Sequence, residues 1–273
     1  MIKERIQKII FQLFLLMAAV IVVVPFVWML VSSFAPNSEI VKVNGPLFPK
    51  MSTFGNYIKV KDFNFLQMFG NSIFVSVTLT LLIIYTSAII GYVLAKYKFR
   101  GRKLLFAVIL GTMMIPWAVT IIPKYEMMMQ FKWLDSYKAL IIPAMVSGFG
   151  IFMFKQSIAT LPDSLLEAAR MDGASEWYIF HRIVLPMQKN TIASLAIFQF
   201  LWAWEDFLWP FLVITTQTKQ LLSVGLRIFS GQYGTDYGGL FAGTAISIIP
   251  VIIVYVIFQK QFISGIASGS VKG

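Results

Sequence analysis

The sequence predicts an all-α integral membrane protein. Hydrophobic residues make up 58% of the 273 and charged residues 13%, against about 45–50% and about 25% in soluble domains. Mean hydropathy is +0.77. Intervals free of Asp, Glu, Lys and Arg recur along the chain, at lengths suited to spanning helices of about 20 mostly apolar residues.

The first span is expected from Ile9 to about Val31, behind Lys3, Arg5 and Lys8. A signal peptide starts the same way, but its apolar core is only about 7–15 residues long, so this helix is expected to remain uncleaved. The second lies within Phe63–Ala95 and the third within Leu104–Pro123. The fourth, Ala139–Phe154, is short, and Tyr137 and Gln156 extend it into the interfaces. The fifth is two halves, Asn190–Trp204 and Phe207–Thr218, separated by Glu205 and Asp206. The sixth is Tyr237–Gln259.

Six spans place both termini on one side. Putting that side inside gives the inner segments most of the basic residues, including the short acid-free cluster Lys96, Lys98, Arg100, Arg102 and Lys103. Short basic loops stay cytoplasmic, so the orientation is N-in, C-in. Residues 1–68 then hold the first helix and an extracytoplasmic loop. Residues 69–273 form the core, with helices two to six and a cytoplasmic loop at about 161–186. Pro25, Pro116, Pro143, Pro210 and Pro250 interrupt the spans. Such breaks persist where neighbouring helices or a cavity satisfy the freed backbone groups, which favours a packed bundle with a pathway over a simple anchor.

The same composition excludes other classes. So apolar a chain is not disordered. The absence of cysteine removes a disulfide scaffold, a Cys-ligated zinc site and a Cys nucleophile. The single histidine, His181, removes a two-histidine metalloprotease motif and reads as a surface residue of the loop. No phosphate-binding G-x-x-x-x-G-K-[ST] loop occurs. No catalytic or metal-ligating set is expected.

The loop from Leu161 to Pro186 carries the most information. Pro162 closes what precedes it, and Ser164-x-x-Glu167 reads as a capping box opening a helix. Gly173 is the expected stop. A second short helix can run from Ser175 until Pro186 ends it. The small residues Ala168 and Ala169 let another protein's surface approach closely; a plain connector between spans would read the same way. A DNA-binding helix-turn-helix is disfavoured by the mixed charges, and no nucleic-acid partner is expected.

Glu167-Ala168-Ala169, three residues, Gly173, nine residues, then Ile183-x-Leu185-Pro186 resembles the E-A-A-x3-G-x9-I-x-L-P motif. That motif belongs to the permease subunits of binding-protein-dependent ATP-binding cassette importers. Trp204-Glu205-Asp206-Phe207-Leu208-Trp209-Pro210 is similar to the W-N-D-F-L-W-P segment of the carbohydrate-uptake branch, and the tail Gly269-x-Val271-Lys272-Gly273 to its V-K-G ending. The resemblance implies the type I importer permease fold. It implies a cytoplasmic coupling helix whose Glu167, Ala168, Ala169 and Gly173, with Asp172 beside them, meet an ATPase subunit. It also implies a second permease subunit of a different chain, two ATPase subunits that hold ATP and Mg, and an extracytoplasmic solute-binding protein. The chain itself would then be no enzyme and carry no cofactor. Its place would be the cell membrane of a bacterium or archaeon.

Glu205 departs from the branch's usual Asn. Two carboxylates at mid-span would cost roughly 2.5–3.5 kcal/mol each if lipid-facing, so Glu205 and Asp206 should face the bundle or a watery path. With Trp202, Trp204 and Trp209 around them they suit a sugar pathway; equally, an acid could cap a helix broken near Pro210 or pair with a base. Adjacent acids on one helix do not face each other across a bond, which removes glycosidase chemistry. Arg227, Tyr233, Asp236 and Tyr237 occupy the outer loop expected to face the binding protein. The alternative is an ion- or proton-coupled secondary transporter titrating at Glu205 or Asp206.

Overall fold

The computed structural model describes residues 2–42, 48–49, 52–231 and 234–270. In chain order the helices are α1 (Ile2–Ser32), α2 (Asn37–Ile40), α3 (Gly55–Asp62), α4 (Phe65–Lys96), α5 (Arg102–Met113), α6 (Trp117–Gln130), α7 (Tyr137–Ile141) and α8 (Gly148–Ala159). There follow α9 (Asp163–Met171), α10 (Glu176–Tyr178), a π-helical stretch Ile179–Val184, α11 (Leu185–Met187), α12 (Lys189–Glu205), α13 (Leu208–Val213), α14 (Leu222–Gly225) and α15 (Tyr237–Ser270). A small antiparallel ribbon pairs β1 (Ser230–Gly231) with β2 (Gly234–Thr235). The V-K-G ending lies outside the described residues.

Among the described residues, four helical stretches are long and apolar enough to cross a membrane: Arg5–Ser32, Phe65–Lys96, Tyr137–Ala159 and Tyr237–Ile263. A fifth arises if α5 and α6 count together, although they bend by 98° across their break. Pro116 causes that break: it caps α6 and forces Ile115 away from helical geometry. The fifth expected span is not one helix either, whereas the sixth is, within α15. α12 has 17 residues and stops at Glu205, where Asp206 turns extended (φ −61°, ψ 117°) before α13 restarts. The interruption therefore falls at the acids, four residues ahead of Pro210.

The chain packs as two units, Met1–Leu66 with Gly225–Ile249, and Gln67–Val224 with Pro250–Gly273. In the first, α1 is exposed over most of its length and its apolar side chains have few neighbours. Beyond its end, backbone carbonyls are satisfied from α3: Asn56 Nδ2 donates to the carbonyls of Ser33 (2.8 Å) and Ala35 (2.7 Å). Helix ends leave such acceptors unpaired, and a buried amide side chain is one way to close them.

Among the described residues, two apolar cores lie in the second unit. One gathers Ile83, Ala88 and Tyr92 of α4, Phe154 and Ile158 of α8, Leu166 of α9, and Ile179, Phe180 and Val184 of the π-helical stretch, with Leu195 of α12. Helices α4 and α8 touch there through Gly91: a Cβ at that position would lie 2.6 Å from Phe154 Cβ and 2.9 Å from the Lys155 nitrogen. The other core joins Val75, Met128, Ala139, Leu140, Trp209, Val213, Ile214 and Leu221.

Candidate functional site

The segment from α9 to α11 folds as a helical hairpin against the first of those cores. Gly173 sits at φ +80°. Its N–H donates to the Arg170 carbonyl, and Ala174 N–H to the Ala169 carbonyl, both at 3.0 Å. This is the six-to-one, five-to-two closure that needs a left-handed residue, a conformation costing a residue with a Cβ roughly 1–2 kcal/mol. The expected stop at Gly173 is where α9 ends. The expected capping box does not form. α9 starts at Asp163, directly after Pro162, and no side chain caps it. Starting there puts Ser164 inside the first turn, so its hydroxyl is not placed to serve as a cap and Glu167 is left exposed. The second helix opens on Ser175, whose hydroxyl accepts from Tyr178 N–H (3.2 Å). It runs through Pro186, instead of ending before it, and turns at Gln188.

α9 is two-faced. Leu166 points into the core at 1% exposure and Ala169 packs beside it. Glu167, Ala168, Met171, Asp172 and Gly173 are exposed, Met171 at 88%. The motif residues thus share one free surface.

Glu176 gathers the hairpin's polar contacts. Its carboxylate accepts from Arg170 Nε (2.7 Å), Tyr97 Oη (2.5 Å) and Tyr92 Oη (3.0 Å). The Arg170 guanidinium, and then the Tyr97 hydroxyl, pull its carboxyl from 4.5 down to about 2. At the other end of α9, Lys96 Nζ donates to Asp163 Oδ1 and to the Leu161 carbonyl, both 2.6 Å. That hydrogen bond and charge hold the Asp163 carboxyl below its ordinary range. His181 lies half-buried, with Nδ1 2.9 Å from the Trp177 carbonyl and Nε2 3.4 Å from Tyr85 Oη.

The acids of the fifth span are separated by the helix break. Glu205 ends α12 and Asp206 leads into α13; both are exposed on the chain, as is Trp202. Asp206 Oδ1 accepts from Trp209 N–H (3.4 Å), and its carbonyl accepts from Ser223 Oγ (2.7 Å). Trp204 is buried between Phe200 (stacked, 5.7 Å) and Phe69 (edge-on, 5.6 Å). Trp209 is buried too, and its indole N–H donates to the Ala139 carbonyl (3.0 Å). Lys124 of α6 joins this group: its Nζ lies 4.1 Å from the centre of the Trp209 ring and within electrostatic reach of Asp206. The sequence offers no cue for Lys124 beyond its place just after a charge-free interval.

Of the outer-loop residues, Arg227 is exposed in a turn (Leu226–Phe229) before β1. Asp236 binds Lys59 of α3 (2.8 Å) and accepts from Gly239 N–H (3.3 Å). Burial raises its carboxyl, but the Lys59 ammonium and the backbone donors outweigh that and leave it lowered. Tyr237 is exposed, and its N–H donates to Asn37 Oδ1 (2.8 Å). Tyr233 lies outside the described residues.

The family profile for binding-protein-dependent transport system inner membrane components matches residues 87–268, and the chain belongs to that family. It is 36% identical over 98% of its length, and 97% of the other's, to the arabinooligosaccharides transport system permease protein AraQ of Bacillus subtilis (strain 168). It is 34% identical to the diacetylchitobiose uptake system permease protein NgcG of Streptomyces coelicolor, covering 94% of this chain and 87% of that one. The fold matches a chain of a bacterial ABC transporter that imports the acidic polysaccharide alginate, with TM-score 0.83 at 24% identity, covering 95% and 98% of the two chains. The resemblance to carbohydrate-uptake permeases is therefore borne out.

Proposed function

We propose that this chain is one transmembrane subunit of an ATP-driven importer of sugars or oligosaccharides. It would span the cell membrane of a bacterium or archaeon six times, with both termini inside, and pair with a second, different permease chain. Of two ATPase subunits carrying ATP and Mg, one would dock on the α9–α11 hairpin through Glu167, Ala168, Ala169, Asp172 and Gly173. An extracytoplasmic solute-binding protein would meet the outer loop around Arg227, Tyr233, Asp236 and Tyr237. Glu205, Asp206 and Trp202 would face the shared pathway, with Trp204 and Trp209 as its buried backing.

The observation that carries this reading is the hairpin: a glycine-closed helix seated on an apolar core, with its motif residues turned outward. The names of the relatives support a saccharide cargo. The test is reconstitution with the neighbouring permease, ATPase and binding-protein genes in vesicles. Uptake of arabino-oligosaccharides, diacetylchitobiose and an acidic oligosaccharide is then measured with ATP, without it, and with an uncoupler. ATP-dependent, uncoupler-resistant uptake of at least one is expected. Uptake that collapses with the uncoupler and ignores ATP overturns the reading. Reporter fusions at Gly101 and Gly173 should read cytoplasmic, and one at Gly231 extracytoplasmic.

A further inference from the structure

Helices α8 and α12 are joined to the hairpin by the chain itself. Helix α4 is not: Tyr92 and Tyr97 stand 84 and 79 residues before Glu176. α4 meets the hairpin only through space, by apolar packing and by a few polar side chains. Apolar packing is non-directional and tolerates sliding. Hydrogen bonds to a charged group are short and directional, about twice as strong as neutral ones, and fix register.

The polar contacts are concentrated. One oxygen of Glu176 accepts from both tyrosines of the α4 end; from across the Gly173 turn Arg170 Nε reaches the other oxygen (2.7 Å), and its Nη2 lies 3.4 Å from the shared one. A single carboxylate therefore closes the hairpin on itself and fastens the closed hairpin to α4. Lys96, at the last turn of α4, fastens the opposite end of α9 through Asp163 and the Leu161 carbonyl. Both ends of α9 are pinned to one helix, and neither pin uses the exposed motif face.

We propose that Glu176 is a positioning residue that makes α4 move as one body with the coupling hairpin. Lys96 is the second pin. The proposal rests on the reading of the hairpin as the ATPase-coupling element. Without the Glu176 pin, displacement of the hairpin still reaches α8 and α12 through the backbone. It reaches α4 only through packing, the Lys96 pin at the far end of α9 and the long Tyr85–His181 contact, and the α4 share of the motion slips.

The native chain has no cysteine, so labels can be placed at will. Spin labels at Leu81→Cys on α4 and Ser164→Cys on α9, both exposed positions, report the register of the two helices. The distance distribution is measured in the assembled complex, nucleotide-free and after trapping with ATP and vanadate. With Glu176 intact, one narrow distance should persist in both states. In E176Q and in Y97F, the ATPase should stay bound, while the trapped state shows a shifted distribution at least doubled in width. Y97F removes a single hydroxyl and leaves the hairpin's own ion pair whole, so it remains informative if E176Q assembles poorly. An unchanged single distance in Y97F overturns the proposal. So does loss of the ATPase from Y97F, which would make these contacts part of docking. Gly173→Val is the control: if it keeps both the ATPase and normal ATP-dependent uptake, the coupling reading itself fails. If Gly173→Val abolishes docking and the clamp variants are silent, only the clamp fails.

Discussion

Lys96 and Asp163 meet at 2.6 Å, yet they are unequal partners: the lysine side chain is 5% exposed and the aspartate 77%. The ammonium is the buried member, and it also serves the Leu161 carbonyl. Removing it strands an acceptor, whereas removing the carboxylate leaves Lys96 with the carbonyl. Lys96→Met should therefore destabilise the chain by about 1–3 kcal/mol, the cost of an unpaired buried polar group. Asp163→Asn should lower the melting temperature less. Thermal unfolding of both purified variants checks the order; equal shifts would contradict it.

Glu176 makes the hairpin sensitive to acid. Its carboxyl titrates near 2 in the fold against 4.5 ordinarily. A lowered folded value means that the carboxylate's stabilisation is complete above the unfolded value and is lost as pH falls from there through about 2. Amide exchange at Arg170–Tyr178 should be flat from pH 8 to about 5, after correction for intrinsic rates, and should loosen below about 4.5. The E176Q variant should lack that acid limb. A limb that persists unchanged in E176Q assigns it to another group.

The contact of Gly91 with Phe154 leaves no room for a side chain. Gly91→Val should cost roughly 1–3 kcal/mol by overpacking. Phe154 is fully buried, so Phe154→Ala alone should cost about 3–5 kcal/mol. Phe154→Ala keeps the Cβ and backbone atoms that a side chain at position 91 would strike, so it does not relieve that overlap and the double variant should cost about the sum. A double variant costing much less than the sum in melting experiments would mean that the two helices part enough to open this contact.

The two acids of the fifth span should behave differently. Asp206 accepts from Trp209 N–H in the first turn of α13 and neighbours Lys124, so Asp206→Ala should lower stability by about 0.5–1.5 kcal/mol, the net worth of one such hydrogen bond. Glu205→Gln should leave the melting temperature alone and change competition among saccharides in the uptake assay. Matching competition profiles for Glu205→Gln and the native complex would place Glu205 outside the pathway.

How much was legible in the sequence differs from residue to residue. Gly173 was, because a left-handed helix stop is a local demand that one residue type meets. The apolar intervals were, because bilayer thickness sets their length. The capping box failed for a local reason: Pro162 took the position before the helix and shifted its start. Pro116 was legible as a break, but its 98° bend was not, since the angle depends on what packs on either side. Glu176 was not legible as a tie. In the sequence it is one acid among mixed charges, and its tyrosines come from a distant helix. Lys124 was missed for the same reason: its meaning comes from Trp209 and Asp206, brought near by folding.

The exposed first helix has a consequence for the membrane itself. Its stretch Arg5–Ser32 has 28 residues, about 42 Å at 1.5 Å per residue. That exceeds a hydrocarbon layer of about 30 Å but equals the whole bilayer with its headgroups, about 40–45 Å. Upright, the helix sets Arg5 and Lys8 among one layer of headgroups and Ser32 at the other. A thinner bilayer cannot compress it and must tilt it. Lipid thickness thus acts on α1 as a lever arm, and acyl-chain length becomes a variable to which this segment is mechanically exposed.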